Sequence, residues 1–159
     1  MIHDVVIIGA GPAGLCLARA LSGHGLSVVL LERQAEQALV EPAFDGREIA
    51  LTHGSQALLE KLGLWQCLPA EEIAVLRDAQ VLNGPSLFAL KIRAEQAGAE
   101  RLGHLVANRA IRRAAYEAVN ECADVQLRCE ASVRAIRHHE REVELELVNG
   151  EVLRTRLLV

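Results

Sequence analysis

The stretch that decides the fold is Met1–Arg33, which reads MIHDVVIIGAGPAGLCLARALSGHGLSVVLLER. Its opening strand candidate is rich enough in valine and isoleucine to be fully buried. The stretch predicts a strand at Ile2–Ile8, a glycine turn at Gly9–Gly14 and a helix at Ala13–Leu21. A second strand at Leu26–Leu31 and a closing acid, Glu32, follow. This order is typical of a βαβ unit.

The residue types of this stretch suit a phosphate-binding turn. Gly9 lets the chain turn sharply out of the strand, Gly11 has no side chain to keep a pyrophosphate off the backbone, and Gly14 lets the helix lie close to the sheet. The helix start offers unpaired N–H groups. Glu32, eighteen residues after Gly14, can accept hydrogen bonds from both hydroxyls of an adenosine ribose. The pattern therefore favours a dinucleotide site over a plain βαβ turn.

Composition indicates one ordinary globular domain. The chain has 159 residues, of which 51% are hydrophobic and 24% charged. A net charge of −4 and an aromatic content of 3% argue against a nucleic-acid partner, which needs a basic surface and stacking rings. No apolar run approaches the length of a membrane span, and Asp4 interrupts the N-terminal apolar stretch, which disfavours a signal peptide. We expect a cytoplasmic protein.

The metal-ligating residue types form no pattern typical of a metal site. The 4 cysteines contain no C-x-x-C pair and have no histidine at ligand spacing, so we expect free thiols in a reducing compartment. The pair His138-His139 lies in a polar stretch between predicted strands, where solvated imidazoles are the simpler interpretation. We expect no metal.

The middle of the chain predicts a series of short elements. They are a loop at Gln34–Pro42, an Asp-Gly turn at Phe44–Arg47, an extended segment at Glu48–Thr52, a helix at Gln56–Leu62 that Gly63 ends, a strand at Ile73–Leu82, a turn at Asn83–Pro85, a returning strand at Leu87–Ile92 and a mobile loop at Arg93–Gly103.

A later helix is predicted from Asn108, a favoured N-cap residue, to about Glu121. Arginines at 109, 112 and 113 crowd its first turn, where the helix dipole disfavours cations. Glu117, four residues after Arg113, can pair with it and offset this cost, whereas Arg109 has no such partner. Two interpretations stay open for Arg109: it meets an anion from elsewhere, or it is an exposed arginine that costs little.

The C-terminal third alternates in a way that predicts strands. They are Val125–Cys129, Ser132–Arg137, Glu142–Val148 and, after the hairpin signal Asn149-Gly150, Val152–Val159. We interpret them as an antiparallel meander on one side of the nucleotide-binding sheet. The predicted fold class is α/β, with a Rossmann-like βαβ sheet and an antiparallel β-meander.

Three segments carry a resemblance to a known family. They are GAGPAG at 9–14 with Glu32-Arg33, FDGREIAL at 44–51 running into LGLW at 62–65, and LGHLVANR at 102–109. On these segments the chain resembles the N-terminal part of the flavin-dependent aromatic hydroxylases of the p-hydroxybenzoate hydroxylase type. The branch it matches hydroxylates the ring in ubiquinone biosynthesis. The first segment is shared by many FAD and NAD proteins, and the other two are more specific.

The resemblance implies a cofactor site, position by position. It assigns the FAD pyrophosphate to Gly9, Gly11, Pro12, Ala13 and Gly14, the adenosine ribose to Glu32, the neighbourhood of the adenosine to Arg33, and the adenine pocket to the backbone near Val133. It also implies that Arg47 lies by the cofactor, ahead of the strand that flanks the flavin ring. Arg109 would reach the FAD from its helix start. Catalytic residues stay unknown.

The resemblance also implies an activity for the whole protein. It would be an FAD-dependent monooxygenase that uses NAD(P)H to insert one oxygen atom into an electron-rich phenol. A polyprenyl phenol of ubiquinone biosynthesis would be a lipid-like substrate. That implies a cytoplasmic protein working at the inner face of the membrane, as a peripheral protein or within a biosynthetic complex.

The family continues past Leu157–Val159 into further cofactor-binding motifs and a substrate domain that this sequence does not contain. We therefore interpret residues 1–159 as an FAD-binding domain, truncated before the substrate domain is complete. We expect it to be inactive alone and to bind FAD weakly.

Three alternatives stay open from the residues. The chain could be the Rossmann domain of a nicotinamide dehydrogenase, although that fold would supply a further βαβ unit in place of the meander. It could be a nucleotide-binding fragment without catalysis. It could also belong to a flavin hydroxylase of another phenol.

Overall fold

The computed structural model describes residues 1–85 and 88–159. Its strands are β1 (Ile2–Ile8), β2 (Val28–Leu31), β3 (Glu48–Thr52), β4 (Ile73–Leu76), β5 (Asp78–Leu82), β6 (Ala89–Arg93), β7 (Gly103–Ala107), β8 (Val125–Arg128), β9 (Val133–His138), β10 (Val143–Leu147) and β11 (Val152–Leu158). Its α-helices are α1 (Pro12–Leu21), α2 (Gln37–Val40), α3 (His53–Lys61) and α4 (Asn108–Asn120). Short 3₁₀ segments lie at Trp65–Cys67, Ala70–Glu72 and Ala94–Ala97.

The chain divides into two compact units. The first, which we call the sheet unit, comprises Met1–Ala43 and Ile111–Val159. The second, which we call the insert unit, is Phe44–Ala110.

The sheet unit is built on strands in the order β8-β2-β1-β11-β10-β9. Neighbours from β8 to β11 run parallel, and β9, β10 and β11 form an antiparallel meander. The middle of β1 and all of β2 are buried, as expected for parallel strands covered on both faces. One core cluster joins the two parts of the sheet through Val6, Val29, Leu31, Leu145, Leu147 and Leu153. The predicted α/β class with a meander is confirmed.

The prediction that placed Val125–Cys129 in the meander is wrong. β8 lies at the opposite edge of the sheet and runs parallel to β2, with Val28 opposite Val125. Because α4 precedes β8, the strands β2 and β8 are joined through a helix and form a second crossover of the Rossmann type. Alternation within a strand shows which face is buried, and it does not identify the neighbouring strand. The sheet unit therefore contains a further βαβ unit, so its meander does not count against the Rossmann domain of a dehydrogenase.

The loop expected at Gln34–Pro42 contains one helical turn, α2. This turn buries Leu39, which is 1% exposed. Next to it, the hydroxyl of Tyr116 donates to Glu36 at 2.6 Å. The polar composition of this segment predicted a loop, because the sequence alone does not show that Leu39 packs into the core.

The insert unit contains an antiparallel sheet, β3-β7-β4, and a two-stranded ribbon, β5-β6. β3 matches its predicted bounds. The hydroxyl of Thr52 accepts a hydrogen bond from the Ser55 N–H and caps α3, which therefore starts earlier than expected. Gly63, at a φ of +80°, follows the end of the helix as predicted.

Two predictions in the insert unit are wrong. The single strand expected at Ile73–Leu82 is two strands, β4 and β5, which belong to different sheets. The loop expected at Arg93–Gly103 contains the end of β6 and a 3₁₀ segment, and Gly103 begins β7. The residue Leu87, where the returning strand was expected to start, lies outside the described residues.

The middle strand of the insert sheet, β7, was not predicted. A Cβ built on Gly103 would clash with the carbonyl oxygen of Leu51 in β3. Glycine at this position therefore lets the two strands approach each other. The five residues of β7 are mostly apolar and show no periodicity that could separate a strand from a loop.

Candidate dinucleotide-binding site

The glycine turn leaves β1 at Gly9, whose φ of +103° favours glycine. The Gly9 N–H donates to the carbonyl of Leu31 at 2.7 Å and so holds the turn against the end of β2. A Cβ on Gly14 would clash with the Gly9 carbonyl oxygen, whereas a Cβ on Gly11 would meet no atom within 4 Å. The packing role expected for Gly14 is confirmed, and the space in front of Gly11 can admit a ligand.

Helix α1 begins directly after Gly11, with Pro12 at its first position. Leu15 donates its N–H to the carbonyl of Gly11 at 3.0 Å. Helix geometry leaves the N–H groups of Ala13 and Gly14 without an intrahelical acceptor, and proline has no N–H to satisfy. These two donors, with the positive end of the helix dipole, suit a phosphate group.

The carboxylate of Glu32 ties the glycine turn to the end of β2. Its Oε2 accepts a hydrogen bond from the Ala10 N–H at 2.9 Å, and its Oε1 accepts one from the Gln34 N–H at 2.9 Å. The residue is 9% exposed. Each carboxylate oxygen keeps a second lone pair. Glu32 can therefore accept from two neighbouring hydroxyls while both backbone donors stay satisfied.

A cavity of about 270 Å³ opens beside Glu32. Its lining comes from the ends of β1 and β2 and the start of β9, namely Ile8, Gly9, Leu31, Glu32, Arg33, Ala131, Ser132 and Val133. The structure thus brings Gly9, Glu32, Arg33 and Val133 together around one space, although Val133 is about a hundred residues from the others in sequence. Gly11, Pro12, Ala13 and Gly14 continue from Gly9 outside this lining.

Sequence reasoning missed Ala131 and Ser132 as cavity residues. Glu130 adopts a φ of 54°, and the Ala131 N–H donates to the carbonyl of Glu32 at 2.8 Å. These features fold the segment over the end of β2. The sequence placed Ser132 at the start of a strand, and that pattern could not show which strand end it would face.

Arg47 lies in the insert unit and is paired with Asp45. Its Nε and Nη2 donate to Oδ2 of Asp45 at 2.9 and 2.7 Å, and its backbone N–H donates to Oδ1 at 3.1 Å. Asn108, the first residue of α4, donates its Nδ2 to the same Oδ2 at 2.8 Å. The hydrogen bonds from Arg47 first, and then from Asn108, lower the pKa of Asp45 to about 2.

Arg109 has a partner that the sequence did not reveal. Its Nη2 donates to Oε1 of Glu72 at 2.8 Å, and its Nε donates to Oε2 at 3.4 Å. Its guanidinium carbon also lies 5.5 Å from the ring centroid of Phe44. The anion that offsets the charge of Arg109 is therefore Glu72, which lies within the insert unit.

Neither a metal-ligating cluster nor a membrane-spanning helix occurs in the part of the chain that the structure describes. There, no group of histidine, cysteine, aspartate and glutamate side chains is arranged to hold a metal ion. No helix in residues 1–85 and 88–159 combines the length and the apolar character needed to cross a membrane.

Residues 3–156 match the model of a family described as FAD binding domain. The ubiquinone hydroxylase UbiM of Neisseria meningitidis is 43% identical to this chain, over 98% of this chain and 35% of that protein. The ubiquinone hydroxylase UbiL of Rhodospirillum rubrum is 35% identical, over 99% of this chain and 36% of that protein. The chain therefore spans about a third of the length of these relatives.

A solved structure gives the same fold. The anhydrotetracycline hydroxylase OxyS of Streptomyces rimosus superposes with a TM-score of 0.73 at 25% identity. The match covers 99% of this chain and 31% of that one. The fold of this chain is thus shared with about a third of a longer protein.

Proposed function

We propose that the sheet unit of this chain, which belongs to the FAD binding domain family, binds the adenosine and pyrophosphate end of FAD. The observation that carries the proposal is the position of Glu32. Its carboxylate is anchored by two backbone N–H groups, borders the cavity, and keeps lone pairs for two more donors. A ribose presents two such neighbouring hydroxyls.

The other residues of the sheet unit have roles that follow from their positions. Gly9, Gly11, Pro12, Ala13 and Gly14 would hold the pyrophosphate, since the turn presents backbone donors and the space before Gly11 is open. Arg33 would lie beside the adenosine, and the backbone near Val133 would line the adenine pocket. The cavity that includes Arg33 and Val133 supports both assignments.

In the insert unit, Arg47 and Arg109 are assigned to the cofactor by the family resemblance. Their side chains are 66% and 45% exposed, so each can meet an anionic group. Each is also held by a carboxylate of its own unit, Asp45 or Glu72.

For the whole protein, we propose NAD(P)H-dependent hydroxylation of an aromatic ring, with a polyprenyl phenol of ubiquinone biosynthesis as the substrate. The relatives named as ubiquinone hydroxylases support this activity. The bound flavin would supply the redox chemistry, and the residues of this chain would bind and orient it. Hydroxylation of another phenol is the alternative that the same site allows.

The lipid-like substrate has a consequence for the location of the protein. It favours a cytoplasmic protein that works at the inner face of the membrane, alone or in a biosynthetic complex. We also propose that residues 1–159, which span about a third of the length of these relatives, act as an FAD-binding domain, and that this domain alone is inactive and holds FAD weakly.

The cofactor assignment is tested by titrating the apoprotein with FAD and, separately, with NAD. We expect FAD to bind, so that a flavin absorbing at about 450 nm co-elutes with the whole protein. Glu32→Ala should weaken FAD binding by about tenfold or more, because two hydrogen bonds to a charged acceptor are lost. Glu117→Ala, an exposed glutamate on α4, is the matched control. Binding of NAD in preference to FAD, or an unaltered affinity in Glu32→Ala, would refute the assignment.

A further inference from the structure

The ion pair between Arg109 and Glu72 is a two-point contact inside the insert unit. Both guanidinium donors on one edge of Arg109 reach the two oxygens of Glu72, at 2.8 and 3.4 Å. Glu72 is the less exposed partner, at 19% of its side-chain surface against 45% for Arg109. Within the described residues, the Glu72 carboxylate has no hydrogen-bond partner other than Arg109.

We infer that Glu72 is an internal counter-ion for Arg109 and opposes the binding of an anionic group of the cofactor there. The inference rests on the proposed function, which assigns Arg109 to FAD. An arginine in the first turn of α4 is disfavoured by the helix dipole, and a nearby carboxylate offsets that cost. Glu72 supplies this carboxylate.

Charge and geometry explain why Glu72 would compete with a phosphate. A guanidinium edge that holds a carboxylate through two donors has the same shape that a phosphate oxygen pair requires. A phosphate can therefore take this edge only by displacing Glu72. If it uses other donors of Arg109 instead, two negative charges come close together, which also weakens binding.

Phe44 explains why Arg109 would stay in place once Glu72 is displaced. The guanidinium carbon lies 5.5 Å from the centre of the Phe44 ring, which is within the range of a cation–π interaction. This contact does not involve Glu72. Removal of the Glu72 charge should therefore free the donors of Arg109 without losing its orientation.

Arg47, the other arginine of the insert unit that is assigned to the cofactor, offers a contrast. Asp45 also neutralises Arg47, but it additionally accepts hydrogen bonds from the Arg47 backbone and from Asn108. Replacement of Asp45 would thus disturb the turn. Glu72 makes no such second set of contacts among the described side chains, so its charge can be removed more cleanly.

The test is the dissociation constant for FAD of the whole protein carrying Glu72→Gln. We expect FAD to bind about two- to five-fold more tightly, the range that an exposed ion pair is worth. The gain should shrink at high ionic strength, because salt screens the pair. Glu71→Gln is the matched control, since it removes an equal charge from the neighbouring, exposed position of the same 3₁₀ segment.

A double variant shows whether the effect passes through Arg109. In the Arg109→Ala background, Glu72→Gln should no longer tighten FAD binding. Equal tightening in that background, or in Glu71→Gln, would mean that any lost charge acts at a distance and would overturn the inference. Weaker or unaltered FAD binding in Glu72→Gln would overturn it as well.

Glu32→Ala separates this inference from the proposed function. If Glu32→Ala loses FAD affinity while Glu72→Gln gains none, the cofactor assignment stands and the counter-ion role falls. If the unaltered protein binds no FAD, or Glu32→Ala binds it normally, the proposed function and the inference fall together.

Discussion

The backbone N–H of Ala10 donates to the carboxylate of Glu32 at 2.9 Å and joins residues that lie at the ends of two neighbouring strands. The bond makes the acid part of the glycine turn as well as a candidate ligand-binding group. Because Glu32 also accepts a hydrogen bond from the Gln34 N–H, one side chain joins the glycine turn to the segment that follows β2.

Replacement of Glu32 should therefore affect folding as well as binding. Glu32→Ala leaves the buried N–H of Ala10 without its acceptor, which should lower the free energy of unfolding by about 1–3 kcal/mol. Urea unfolding of the ligand-free protein measures this. Glu117→Ala should unfold like the unaltered protein, and an equal loss in that control would show that Glu32 has no special structural role.

Two glycines of the same turn should respond differently to alanine. Gly14→Ala places a Cβ against the Gly9 carbonyl oxygen, so the backbone must shift, and stability should fall by about 1–3 kcal/mol. Gly11→Ala places its Cβ in open space at a φ of −76°, so stability should be unaltered while FAD affinity falls. Thermal unfolding and FAD titration of both variants distinguish the two roles. A Gly11→Ala protein that binds FAD normally would contradict the open-space argument.

The pKa of the Asp45 carboxyl should depend on the hydrogen bonds of the turn at the start of the insert unit. Its pKa is lowered to about 2, first by Arg47 and then by Asn108. Arg47→Ala should raise this pKa toward its usual 3.8, and Asn108→Ala should raise it by less. NMR titration of the side-chain carboxyl measures both shifts. A larger rise in Asn108→Ala than in Arg47→Ala would reverse the order of causes.

His104 should make the stability of the protein depend on pH. It is 8% exposed, its ring lies 5.3 Å from that of Trp65, and its pKa is lowered first by burial and then by the charges of Arg101 and His53. A lowered histidine pKa means that the unfolded chain binds the proton more readily than the folded chain. Stability is then fully present above the usual histidine pKa of about 6.5 and falls as the pH drops through the lowered value.

Equilibrium unfolding across that pH range tests the assignment. His104→Phe should reduce the pH dependence, whereas His139→Phe, in an exposed polar segment, should leave it unaltered. The same slope in His104→Phe as in the unaltered protein would show that another group is responsible.

The sequence by itself determined the local elements and their chemistry. β1 has the predicted bounds, the glycine turn and α1 follow as expected, and Glu32 ends up beside the turn, because these features depend on neighbours a few residues apart and on one crossover. The hairpin at Asn149-Gly150 was also predictable from the local sequence, because its two turn residues favour only a few backbone conformations.

Only the tertiary structure decided which distant segments meet. It placed β8 beside β2, β7 between β3 and β4, and Ser132 and Val133 around the cavity with Glu32. It also gave Arg109 a partner in Glu72, which is 37 residues away. The physical reason is that the local sequence determines the conformational preference of a segment and which of its residues are apolar. The partner of a strand or of a charged side chain depends on packing across the whole unit.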